Sequence, residues 1–335
     1  MRPHGDLDLV LVHAGVPAID ELAAALWYPI WDAGLRLDHS VRTVAEALSV
    51  AQDDVKVALG LLDARLVAGD PELADTLVRS ATDHWRRTAV RQLAPLREST
   101  AARWQAHGEL AFLLEGDLKE AAGGLRDVGI LRAIATAGIT DALRPAVHAA
   151  HRRLLDTRDA LHQQVGRRID RLLAQERDGV AALLGLRLTP PDVGPPEPRP
   201  GSPDDPARPG AADAALRPGD GDGDALLRRV AGDARTVSHA LDDAFRAADR
   251  LRSGRRRGAD GRPVRRPVAR DVVEHDGELV LARTAIGARP DASLSLRVAA
   301  AAAATGLPIA RATCEWLAAY CPPLPTPGRP RPGPP

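Results

Sequence analysis

Lysine is almost missing from this chain: Lys56 and Lys119 are the two lysines among 45 basic residues, and arginine supplies the rest. With alanine, proline and glycine abundant, this is the mark of a GC-rich genome, so a high arginine count does not by itself signal nucleic-acid binding. Net charge is lacking too. The 45 basic residues face 45 acidic ones, which leaves no overall attraction to a polyanion. Cysteine is scarce, and Cys314 and Cys321, seven residues apart, suit a helical segment better than a disulfide or a metal site, pointing to a reducing, cytoplasmic compartment. No apolar run is long enough to span a bilayer, since "SLRVAAAAAATGL" is short and dominated by alanine, and there is no secretory leader pattern. No internal repeat is visible. What remains is a chain of 335 residues, 44% apolar, able to bury one large core or two modest ones.

The pattern along the chain is mixed. Residues 6 to 13 alternate briefly and then run apolar into His13, Ala14 and Gly15, as a buried strand and its turn would. Ile19, Leu22, Ala23 and Leu26 recur at helical spacing, with Pro29 near the end of that helix. Thr43 and Glu46 form a capping box that opens a second helix at Val44. "VKVALGLLDARLVAGD" is rich in branched apolar residues and reads as a second strand, with Asp63 and Arg65 on one face. Asp70-Pro71-Glu72 starts a helical region that runs to about residue 185, broken by Gly123 and Gly124, and including one long helix through 152–185. Residues 187–224 are dense in Pro, Gly and Asp and read as disordered; a helix follows at 225–253, then an arginine-rich linker at 254–270. Asp276-Gly277 marks a hairpin within 271–320, followed by a short alanine-rich helix and a proline-rich tail at 321–335.

The chemistry begins with "GDLDLVLV". Residues two apart on a strand share a face, so Asp6 and Asp8 project together while Leu7, Leu9 and Leu11 occupy the other side. Two such carboxylates suit a pair of divalent cations roughly 3.5–4 Å apart, the clamp used in phosphoryl and nucleotidyl transfer. Asp63, on the expected neighbouring strand, is the natural third acid, and hard oxygen ligands select Mg²⁺. Exposed acids at the start of a strand would read the same way, so the pair alone is weak evidence. Arg65 either pairs with a carboxylate or meets a phosphate. In "KEAAGGLRD", Lys119 and the glycine amides suit an anion, with Arg126 and Asp127 beside them, and the same stretch would equally serve as a structural turn. His162 reads as a packing residue. His275-Asp276 lies at a hairpin turn and is not read as a metal pair. Nine arginines against one acid between Arg250 and Arg270 would attract phosphates, but no aromatics are interleaved for base stacking, and nucleic acid is not expected.

"GDLDLVLVH", "ALWYPIWDAGLRLDHSVRT", "LLDARLVAGD", "DLKEAAGGLRD" and "LHQQVGRRIDRLLAQE" follow in an order and spacing that resembles the bacterial PII-protein uridylyltransferases, the GlnD family. The glutamine-synthetase adenylyltransferases are more distantly similar. The resemblance runs from about residue 5 to 320, apart from 187–224. It implies an α+β, mostly helical chain: a partial nucleotidyltransferase core at 1–70, then a helical domain at 71–186 to which 225–253 returns. It implies transfer of UMP or AMP from UTP or ATP to a tyrosine of the PII signal protein. Asp6, Asp8 and Asp63 would then be the catalytic and Mg²⁺-binding acids, and Arg65, Lys119 and Arg42 the nucleotide-binding residues. Trp31, Asp32, Gly34, His39 and Ser40 belong to the same block as Arg42, with packing and capping as their expected work. The family's Gly-Ser turn before the first aspartate, its HD-type phosphohydrolase domain and its ACT domains have no counterpart here. The expectation is an internal fragment whose transfer activity is impaired. The alternative is an inactive module that binds PII or another polypeptide.

Overall fold

The computed structural model describes residues 7–186, 221–253, 264–287 and 290–322. The chain divides into two compact units, Met1–Ala248 and Asp249–Pro335. It is mostly helical, with a two-stranded and a three-stranded sheet among the described residues, so the α+β class expected from sequence is the one observed. No helix among them is long and apolar enough to cross a membrane. Residues 187–220, 254–263 and 323–335, which cover most of the segments expected to be disordered or linking, lie outside the described residues.

The first unit opens with β1 (Leu7–Val12), α1 (Ile19–Asp32) and β2 (Leu37–Arg42), and the two strands are parallel. His13 closes β1: its Nδ1 accepts the N–H groups of Gly15 and Val16 at 3.2 and 3.3 Å. The capping box forms as read. Thr43 Oγ1 accepts from Glu46 N–H at 3.2 Å and Glu46 Oε2 accepts from Thr43 N–H at 2.7 Å, starting α2 (Val44–Asp53). The Thr43 backbone bond, then its hydroxyl, holds the Glu46 carboxyl below its ordinary value.

The expected second strand at residues 55–70 is not one. Val55–Leu62 is a helix, α3, capped by Asp54, whose Oδ1 accepts from Lys56 N–H at 2.7 Å. Ala58 and Leu61 are buried, and Val55, Leu59 and Leu62 pack beside them at spacings of three and four, so the apolar run is a helix face. The strand that does pair with β1 is β2, in a segment the sequence reading left without a strand.

Asp70 and Pro71 start α4 (Pro71–His107), with Asp70 Oδ1 accepting from Glu72 N–H at 2.8 Å. After an irregular stretch come α5 (Leu125–Thr136), α6 (Pro145–Val165), a 3₁₀ turn at Ala174–Glu176, α7 (Arg177–Leu183) and α8 (Gly223–Ser253). The single helix expected through 152–185 is divided. Gly166 takes φ +71° and ends α6 in a left-handed cap, which glycine adopts without steric cost. One apolar cluster joins Leu118, Leu131, Leu154, Leu161, Leu226 and Leu241 from the loop before α5 and from α5, α6 and α8. A second gathers Ala47, Leu61, Leu77, Trp85 and Ala133, where Trp85 Nε1 donates to the Ala133 carbonyl at 2.8 Å.

The second unit holds the hairpin. β4 (Val272–His275) and β5 (Glu278–Leu281) are antiparallel, and Asp276 and Gly277 between them both have positive φ, the geometry that favours Asp-Gly. A third strand, β3 (Arg266–Ala269), pairs with β4, so the last part of the expected arginine-rich linker is sheet. Val272, Leu279 and Leu281 pack with Leu294 and Val298 of α10 (Leu294–Thr305). The short α9 (Arg283–Gly287) precedes it, and α11 (Arg311–Tyr320), which bears Cys314, ends at Cys321.

Candidate functional site

Parallel pairing aligns Leu7 with Leu37, Asp8 with Asp38 and Val12 with Arg42. Partners in a parallel register point to the same face, and neighbouring strands lie about 4.8 Å apart. Asp8 and Asp38 are therefore side by side, and both are exposed. Like charges directly opposite across a strand pair are unfavourable, and among the described residues no basic side chain pairs with either carboxylate. Two adjacent hard-oxygen donors on one face fit Mg²⁺ chemically. Among the described residues no three His, Cys, Asp or Glu side chains stand together as a metal cage. Asp6 lies outside the described residues.

Asp63 is placed differently from the expectation. It caps the C-terminus of α3, and its Oδ1 accepts from Arg132 Nη1 of α5 at 2.5 Å. Arg65 is exposed in the stretch that follows. Arg42 ends β2 half-buried, its carbonyl accepting from His13 N–H at 3.1 Å. The block around it does packing work. His39 lies against Trp27 and Trp31, with ring centroids 5.1 and 5.3 Å apart, and Gly34, at φ +71°, turns the chain from α1 towards β2. Asp32 ends α1 exposed, and Ser40 is half-buried on β2.

The glycine turn before α5 is occupied from within. Asp127, fully buried, accepts from Gly123 N–H at 2.7 Å, from Trp104 Nε1 at 3.1 Å and from Arg103 Nη2. Burial pushes the Asp127 carboxyl up, and Arg103 counters it. These contacts favour the structural reading of the turn. Arg126 binds Glu120 through two N–H groups, at 2.7 and 2.8 Å, while Lys119 stands half-buried at the turn's entrance. His162 is fully buried on α6.

Sequence reasoning missed Asp38. The letter stands in a block already singled out, but its position beside Asp8 follows only once β2 is recognised as the parallel partner of β1.

A family model described as GlnD PII-uridylyltransferase matches residues 91–194, which include the second half of α4 and all of α5 to α7. A bifunctional uridylyltransferase/uridylyl-removing enzyme of Streptomyces coelicolor is 46% identical over 98% of this chain and 37% of its own length. Residues 91–194 thus form a GlnD-type domain, and nearly the whole chain is similar to this enzyme. The enzymes of the same name from Mycobacterium tuberculosis and Corynebacterium glutamicum are 41% and 34% identical, each over 98% of this chain and over 38% and 42% of their own lengths. The chain spans about two fifths of the length of these curated relatives. No solved structure matches it. The family model falls on the helical body that carries Lys119 and Asp127, whereas the relatives' similarity covers nearly the whole chain.

Proposed function

We propose that this chain carries nucleotidyl-transfer chemistry of the GlnD type, moving UMP or AMP from a nucleoside triphosphate to a tyrosine of the PII signal protein. The observation that supports it most directly is the exposed pair Asp8 and Asp38 on adjacent parallel strands, in a chain 46% identical to a named uridylyltransferase. In this reading Asp6, Asp8 and Asp38 are the acids that would hold Mg²⁺. Mg²⁺ when bound neutralises charge on the phosphates and lowers the cost of the developing pyrophosphate. The tyrosine oxygen forms a bond to the α-phosphorus, the bond from that phosphorus to the bridging oxygen breaks, and pyrophosphate leaves with the electron pair. The tyrosine proton passes to a carboxylate. Asp63, expected from sequence to take that proton or complete the metal set, is engaged by Arg132. Asp38 is the acid in register with Asp8 and takes over the third-ligand role.

The test is label transfer from UTP and from ATP, in parallel, to a purified PII protein with Mg²⁺ present. Label should appear with one nucleotide. Asp8→Asn and Asp38→Asn should each reduce transfer by roughly a hundredfold or more, the cost typical of losing a group that stabilises transition-state charge. No transfer by a folded chain, or full transfer by Asp8→Asn, sinks the reading. A non-catalytic module is the second reading, favoured by the exposed Leu22, Leu26, Tyr28 and Trp31 on α1. It predicts retention of PII on the folded chain without label transfer.

A further inference from the structure

Helix α1 is apolar on more of its circumference than the fold uses. Ala23 and Trp27, four residues apart, are its buried stripe, with Trp27 against His39 of β2. On the outward side Leu22, Leu26 and Pro29 follow one another at spacings of four and three, all exposed. Beside them runs a second line, Glu21, Ala25, Tyr28 and Asp32, at spacings of four, three and four, again exposed. A helix that is apolar beyond one stripe belongs between two layers of structure, and here one of those layers is supplied.

The charges on this face have one sign. Residues 14–35 contain Asp20, Glu21 and Asp32 and no lysine, arginine or histidine. Glu21 and Asp32 stand at the two ends of the outward apolar surface, about 16 Å apart at the helical rise. Among the described residues no basic side chain pairs with either of them. A second copy of the chain is the occupant that this pattern opposes. Two α1 helices packed antiparallel about a two-fold axis would set Glu21 of one copy against Asp32 of the other, and a parallel pair would set each acid against its own kind. The complementary occupant is a helix that carries an apolar stripe at the same spacings and a basic residue at each end of it.

We propose that the outward face of α1 is the docking surface for an apolar helix with basic ends, carried by a partner polypeptide. The apolar stripes pack ridge into groove, and Glu21 and Asp32 fix the register of the incoming helix by pairing with its terminal cations. His39, which α1 covers, alternates with Asp38 along β2, so α1 lies on the face of the sheet opposite Asp8 and Asp38. A partner bound there leaves the two carboxylates open. The docking surface rests on no assignment of a nucleotide or of an acceptor.

The experiment is fluorescence-anisotropy titration of the full chain against two labelled helical peptides, without nucleotide or PII. Both carry leucines at spacings of four, three and four; one has lysines in its first and last turns and the other glutamates. The lysine peptide should bind, more weakly as salt rises, and the glutamate peptide should bind at least about tenfold less tightly. Leu26→Ser should weaken the lysine peptide by about tenfold or more, and Glu21→Gln with Asp32→Asn by about fivefold. Asp75→Asn, at an exposed acid of α4, should bind as the parent does. Melting of each variant without peptide keeps loss of binding distinct from loss of fold. No binding of the lysine peptide, equal binding of the two peptides, or an equal loss in Asp75→Asn overturns the proposal. So does sedimentation showing a dimer of the parent that Leu26→Ser dissociates, which would give the face to a second copy.

Discussion

The β1–α1–β2 segment and the helical body of the same unit use their side chains in opposite ways. Of the 14 residues of α1, only Ala23 and Trp27 are buried, while Leu22, Leu26, Tyr28 and Trp31 are more than 40% exposed. Of the 12 residues of α5, six are buried, and one of those is a charged aspartate with every nearby donor engaged. Apolar exposure on that scale leaves hydrophobic free energy unused, whereas a satisfied buried carboxylate ties several segments to one geometry. Stability therefore resides in the helical body. The carboxylate strands are the thinly supported part, although they carry the proposed chemistry.

The strongest way to break this contrast is Asp127→Ala. Arg103 and Gly123 N–H would be left in the interior without their acceptor, a loss of about 3–5 kcal/mol of unfolding free energy. Urea unfolding of variant and parent would measure it, and a loss below about 1 kcal/mol would show that Asp127 does not anchor the turn. Gly123→Ala comes next. Gly123 has φ +83°, and a Cβ there would run into the Ala234 carbonyl oxygen of α8 and come within 2.8 Å of Ser238 Oγ. Strained backbone and collision together should cost about 2 kcal/mol or more, read as a lower melting temperature.

A smaller effect, dependent on pH, is expected at Asp170. Its carboxyl is held below the ordinary value, so the folded state binds its proton less readily than the unfolded state does. The stabilisation is present above the unfolded carboxylate pKa of about 3.9 and is lost as pH falls through the depressed folded value. Asp170→Asn should therefore be less stable than the parent near neutral pH, with the gap closing under acid. Melting curves from pH 7 downwards would show it, and a gap constant with pH would remove the ionic contribution.

What the sequence disclosed was local. The Thr43–Glu46 box, the Asp70-Pro71 start and the Asp276-Gly277 hairpin each depend on residues within four positions of one another, and each formed as read. The failures share a different origin. "VKVALGLL" has the branched residues of a strand and the burial spacing of a helix, and tertiary packing against α4 decided for the helix. With that strand gone, Asp63 moved to a helix end and Asp38 became the neighbour of Asp8. The alignment of Asp8 with Asp38, and the bond from Leu118 N–H to the Asp170 carbonyl, each span 30 residues or more of chain. No local pattern encodes either one. Family resemblance singled out the block that holds Asp38, but it did not give the register that brings two carboxylates together.

The smallest expected effect sharpens the comparison most, because it tests whether apolar content or burial sets the energy. Leu26 is 44% exposed on α1 and Ile130 is 3% exposed on α5. Both are aliphatic side chains within a helix, and both become Ser in the paired variants. Leu26→Ser gives up little buried area and should change stability by less than about 0.5 kcal/mol. Ile130→Ser removes a close-packed side chain and places a hydroxyl among apolar neighbours, at a cost of about 3 kcal/mol or more. The ratio is checked by chemical unfolding of the two variants under one set of conditions. Equal losses would mean that α1 is covered in solution, and the division between a thin carboxylate segment and a firm helical body would fall with that result.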